Sequence, residues 1–113
     1  MSVIPIEQAM QHLRAEIEDQ SYVELVLEAA EDSATQFLNR RFYADADALA
    51  DAVLDQSAGD NPIVITPAIR AACLLIVGSL FATREAVVIG ATATELPMGP
   101  RQLMMPYRIG LGV

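Results

Sequence analysis

The residues from Ala71 to Ala82, AACLLIVGSLFA, carry no charge and no strongly polar group except the Ser79 hydroxyl. A helix made of such a run is apolar around its whole circumference, so it must sit inside a core or inside a membrane. About twenty residues are needed to span a bilayer. This run is shorter and is bounded by Arg70 on one side and by Arg84 and Glu85 on the other. It therefore reads as the central buried helix of a globular fold. Thr66 is placed to cap it, and Pro67 suits the first helical position, where a missing N–H costs nothing. The spacing predicts a helix over about 67–85. Gly78 is the one expensive residue within it, by about 1 kcal/mol against Ala, which predicts that another backbone passes close by.

The rest of the chain supplies helices to wrap this rod. Ile6, Ala9, Met10, Leu13 and Ile17 recur at helical spacing and predict a first helix near 6–17, opened by Pro5. Ser21 and Glu24 match a capping box. The helix that follows, about 21–40, shows Val23, Val26, Leu27, Ala30, Ala34, Phe37 and Leu38 on one face, with Glu24, Glu28, Glu31 and Asp32 on the others. Arg40 and Arg41 then favour the negative end of its dipole. A third helix near 45–56 is capped by Asp45 or Asp47, and Ala46, Leu49, Ala50, Val53 and Leu54 form its expected buried stripe. Ser57 to Pro62 is rich in turn residues and reads as a loop, and Ile63–Ile65 as a short extended lead into the central helix. The β-branched run Val87, Val88, Ile89 begins an extended arm over about 86–95. The segment 96–108 holds three prolines and room for one helical turn. The expected fold is mainly α: a small helical bundle around a long central apolar helix, with a short extended or β arm and a one-turn C-terminal helix, all in one domain over 1–113.

Charge narrows the function. The net charge is −8, against a protein whose main task is gripping nucleic acid, since phosphate binding needs a basic footprint. Residues 1–60 hold thirteen acids and three Arg, a balance of −10, while residues 61–113 hold two acids and four Arg, a balance of +2. A chain with an acidic first half and a weakly basic end can pair head to tail with copies of itself. The single cysteine, Cys73, lies in the most apolar stretch and reads as a small core residue, in keeping with a reducing compartment. The first residues lack the basic start and apolar stretch of a secretory signal.

Convergent chemistry is not apparent. The only histidine, His12, falls on the exposed flank of the first helix, and no nucleophile-elbow pattern surrounds Ser33, Ser57 or Ser79. Asp45-Ala46-Asp47 begins like a calcium loop, but Leu49, Ala50 and Gln56 stand where oxygen ligands, Gly and Glu are required. Gly78, Gly90 and Gly99 have no phosphate-binding spacing. No catalytic residue, cofactor or metal is expected. Met98, Met104 and Met105 suit adaptable packing against a partner.

Two stretches carry a resemblance. One is Ile65-Thr66-Pro67-Ala68-Ile69-Arg70-Ala71-Ala72, followed by Leu80-Phe81-Ala82-Thr83-Arg84-Glu85; the other is Leu96-Pro97-Met98-Gly99-Pro100-Arg101-Gln102-Leu103-Met104-Met105-Pro106-Tyr107-Arg108. These resemble the head–tail connector (head-completion adaptor) proteins of tailed double-stranded DNA bacteriophages. Phe37-Leu38-Asn39-Arg40-Arg41 also ends a helix where that family has a long N-terminal one, so the resemblance covers about 20–108. The departures are Phe81 for the usual Tyr, Thr83 for Asn and Pro100 for an aliphatic residue. The resemblance implies a structural, non-enzymatic virion protein at the neck of the capsid's portal vertex, present in the host cytoplasm during assembly. Its implied partners are copies of itself in a ring, the portal protein, and the next neck or tail-completion protein. Double-stranded DNA would pass through as cargo, and no membrane is involved.

Within that picture Val87, Val88, Ile89, Leu96, Pro97, Arg101, Leu103, Met104, Pro106, Tyr107 and Arg108 are the expected subunit or portal contacts, because such an apolar, proline-rich segment is poorly suited to lie alone in water. Arg101 and Arg108 are the expected partners of a neighbour's acids. The rival from another class is a small soluble helical adaptor or regulator that binds a host or phage protein and forms no ring.

Overall fold

The computed structural model describes residues 3–59, 61–82 and 98–109. They are mainly helical. In chain order the elements are α1 (Ile6–Leu13), a 3-10 turn (Ile17–Asp19), α2 (Gln20–Leu38), β1 (Phe42–Tyr43), α3 (Ala46–Leu54), β2 (Ile63–Val64), α4 (Pro67–Ala82), α5 (Met98–Met104) and a second 3-10 turn (Met105–Tyr107). The arm expected over 86–95, and Arg84 and Glu85, lie outside the described residues.

The rod is where the sequence put it. α4 packs against α1, α2 and α5, and it buries Ile69, Ala72, Cys73, Ile76 and Val77. The Thr66 hydroxyl accepts the Ile69 N–H at 3.1 Å, closing the cap that the sequence suggested. The burial is a stripe, however, not a full circle. Ala71, Leu75 and Ser79 face outward, with Leu75 45% exposed. Small residues make up most of that outer line, so the helix tolerates an uncovered side that its hydropathy alone would forbid.

α2 is the second wall of the core. Val23, Val26, Leu27, Ala30, Ala34 and Leu38 are all fully buried, and Tyr22 meets Phe81 of α4 with ring centroids 5.8 Å apart, tilted by 49°. The capping box does not form. The 3-10 turn runs directly into α2, which starts at Gln20 with no side-chain cap. Glu24 instead takes a hydrogen bond from the Gln20 amide at 3.4 Å. α1 also ends early, at Leu13, because Arg14 adopts a left-handed conformation (φ 53°) and its N–H turns back to the Gln11 carbonyl. Nothing but a glycine would have announced that stop in the sequence.

Gly78 does not meet its expectation among the described residues. Of these, a Cβ built there would meet only the His12 Nε2 atom, at 3.8 Å, an ordinary contact and not a backbone. Gly78→Ala is therefore expected to stabilise the fold by about 0.5–1 kcal/mol through helix propensity, read as a higher urea midpoint. A loss of stability would show that a close neighbour does exist.

β1 and β2 pair in parallel, Phe42 opposite Ile63 and Tyr43 opposite Val64. α3 is the crossover that a parallel pair requires. Asp45 caps α3, its carboxylate accepting the Ala48 N–H at 2.8 Å. The stripe expected to be buried is mostly outside. Ala46 and Ala50 are exposed, Val53 is 54% and Leu54 81% exposed, and only Leu49 of that set is turned partly inward; the buried position is Ala52. The reason is geometric: α3 rests on two strands of two residues each. So narrow a platform covers a narrow stripe.

Candidate assembly surface at the C-terminal segment

The C-terminal segment is anchored at the end of α2. Leu38 is the last residue of that helix, so its carbonyl has no intrahelical partner. Asn39 takes up a left-handed conformation (φ 58°) and ends the helix, and the freed Leu38 carbonyl accepts the N–H of Ile109 at 3.0 Å. The Asn39 amide donates to the Ile109 carbonyl at 3.0 Å. Arg40 donates from Nη1 to the Tyr107 carbonyl at 3.1 Å and from Nε to the Asn61 carbonyl at 2.7 Å. The Arg108 guanidinium lies over the Phe37 ring, 4.8 Å from its centroid. Four consecutive residues, Phe37 to Arg40, thus hold the three residues Tyr107 to Ile109. Arg41 pins the loop after α3, donating to the Ser57 carbonyl at 3.1 Å.

This anchoring sorts the residues expected to make contacts. Met104 is completely buried in its own core, and Leu103 and Tyr107 pack partly against it. Met104 is thereby removed from the surface, because α5 lies along α4 and directs it inward. Arg108 is turned onto Phe37, with its Nε buried. Arg101 and Pro106 remain exposed, beside Gln102 and Met105. Val87, Val88, Ile89, Leu96 and Pro97 lie outside the described residues.

An open groove of about 520 Å³ lies between α2, the N-terminal segment and β1, with Val3, Glu28, Glu31, Asp32 and Arg41 on its rim. One residue lining it is a carboxylate expected off the buried face of α2. Glu31 is only 8% exposed, and its two oxygens accept the N–H groups of Val3 and Ile4, each at 2.8 Å. Burial pushes its pKa above the ordinary carboxylate value, partly opposed by those two hydrogen bonds. Glu31 is thus a clasp that draws Ile4 into the core. Its place was detectable: position 31 is four residues after Leu27 and three before Ala34, on the buried line. Among the described residues no cluster of His, Cys, Asp and Glu could hold a metal ion, and no helix is long and apolar enough to cross a membrane.

Cys73 is fully buried and its thiol is pushed up to about 12, chiefly by burial and then by the Glu31 charge. The nucleophilic form is the thiolate, so the folded protein is expected to resist a thiol reagent at neutral pH and to react once urea unfolds it. Rapid labelling of the native protein would mean that the core around α4 opens readily.

The stretch that closes α2 and the stretch that closes the chain are the ones that meet here. Residues 5–108 match the family described as phage gp6-like head-tail connector protein. The chain belongs to that family. No curated protein and no solved structure matches it. Head-tail connectors are structural components of the phage particle, not enzymes, and they associate with other head and tail proteins.

Proposed function

We propose that this connector assembles into a ring beneath the portal at the capsid vertex, prolongs the DNA channel, and offers its far side to the next neck or tail-completion protein. The family match over residues 5–108 carries this reading. The division of charge supports it, since an acidic surface lets DNA slide without adhering, and unlike ends favour a head-to-tail contact that closes into a ring. The segment Val87–Ile89, together with Leu96 and Pro97, belongs to the proposed contacts with the neighbouring subunit or portal, as do the exposed Arg101 and Pro106. The protein acts in the neck of the virion after a stay in the host cytoplasm.

Electron microscopy tests the reading directly. Purified protein at high concentration, or the neck of intact particles, is expected to show annuli with an open centre containing this chain. Particles whose necks lack the chain would overturn it.

A further inference from the structure

We propose that the outward stripe of α3 on one connector subunit docks on the exposed turn around Arg101–Pro106 of the next. The inference rests on the ring reading above and names the two faces that meet.

The first face is a helix stripe that its own subunit does not use. Asp47, Ala50, Asp51 and Leu54 fall at i, i+3, i+4 and i+7, on one side of α3, and all are exposed. Leu54, at 81%, is the most exposed large apolar residue among the described residues, and Val53 beside it is at 54%. The sequence gives this helix a broader apolar face than the two short strands beneath it can cover. Aliphatic side chains here are interleaved with aspartates, and Asp55 follows at the helix end.

The second face is its chemical complement. Residues 98–109 contain two arginines and no acid. Arg101, Gln102, Met105 and Pro106 are exposed, Met105 by 38%. This face is held firmly from behind: Met104 is in the core, and Arg40 and Asn39 bind the backbone of Tyr107 and Ile109. Arg108 is already stacked on Phe37, so Arg101 is the cation left to meet an aspartate. Acid with aliphatic on one side and arginine with methionine and proline on the other give charge and apolar complementarity in one contact. The two faces belong to different elements of the same chain, so each copy can give one to the neighbour on one side and the other to the neighbour on the other side; used in that heterologous way, the contact closes into a ring when its rotation closes. The occupant is a second copy of this chain.

Cysteine mapping tests the pairing. Asp51→Cys and Arg101→Cys are made separately, mixed in equal amounts and oxidised; the buried Cys73 thiol gives no background. A mixed disulfide that outruns either homodimer is the expected result. Charge reversal gives a second readout by sedimentation velocity. Asp51→Arg or Arg101→Asp alone is expected to weaken association by about tenfold, and mixing the two variants in equal amounts is expected to recover only mixed contacts. Both positions are exposed, so circular dichroism should be unchanged.

If annuli form but the mixed disulfide does not, or reversal leaves them intact, this pairing is wrong while the ring stands, and α3 serves another neck protein. Absence of both annuli and cross-link overturns the pairing together with the ring.

Discussion

Met104→Ala is expected to lower the unfolding free energy by about 2–4 kcal/mol, the usual cost of emptying a fully buried site of that size. Met104 is fully buried and joins the cluster formed by α1, α2 and α4. The loss would be a large part of the roughly 5–15 kcal/mol that holds such a domain together. A urea titration should show a lower midpoint with the slope retained. The result bears on assembly as well as stability. A residue that only touched a neighbour would leave the unfolding of an isolated subunit unchanged, and an unchanged midpoint would mean that α5 is not part of the subunit's own core. The structure predicts the opposite: α5 belongs to the core, and what it offers a neighbour is its outer side.

Glu31→Ala should cost a comparable amount, about 2–3 kcal/mol, because it strands the Val3 and Ile4 N–H groups, one of them buried, without an acceptor. The carboxylate also gives stability a pH dependence whose sign follows from its raised pKa. The folded state holds the Glu31 proton more tightly than the unfolded chain does. Its stabilising contribution is therefore complete below the unfolded value, 4.5, and is lost as pH rises through the higher folded one. Glu31→Gln removes that titration and keeps one acceptor. The wild type should accordingly lose stability relative to Glu31→Gln as pH rises through this window, when urea midpoints are compared at each pH. A wild type that gains stability relative to Glu31→Gln as pH rises would mean that the two backbone hydrogen bonds outweigh burial and that the pKa is lowered instead.

Periodicity made the helices legible. The apolar run of α4, the buried face of α2, the caps at Thr66 and Asp45 and the exposed His12 all follow from local spacing and side-chain chemistry. Boundaries were less so: the end of α2 fell close to its expected place, but Arg14 ends α1 in a left-handed conformation that its residue type does not advertise as glycine does. The pairing of Phe42–Tyr43 with Ile63–Val64 was beyond local reading, because two-residue strands have no period and each depends on a partner some twenty positions away.

The contact residues divide along the same line. Composition identified the end of the chain as apolar, proline-rich and basic, and its motif identified the family. It could not decide which side of that segment faces inward. Met104 and Arg108 look, by type, as available to a neighbour as Met105 and Arg101 do. The packing of α5 on α4 turns Met104 inward, the docking of residues 107–109 onto 37–40 turns Arg108 onto Phe37, and Met105 and Arg101 stay exposed.

What the amino-acid order determined by itself was the central rod, its acidic jacket and membership of a connector family, because those depend on periodicity, composition and short motifs that act within a few residues. Tertiary structure alone decided that Glu31 clasps the Val3 and Ile4 N–H groups, that α3 turns Val53 and Leu54 outward, and that the C-terminal segment is half core and half surface. Each of those outcomes depends on what lies opposite the residue in space, and a one-dimensional pattern does not contain its partner.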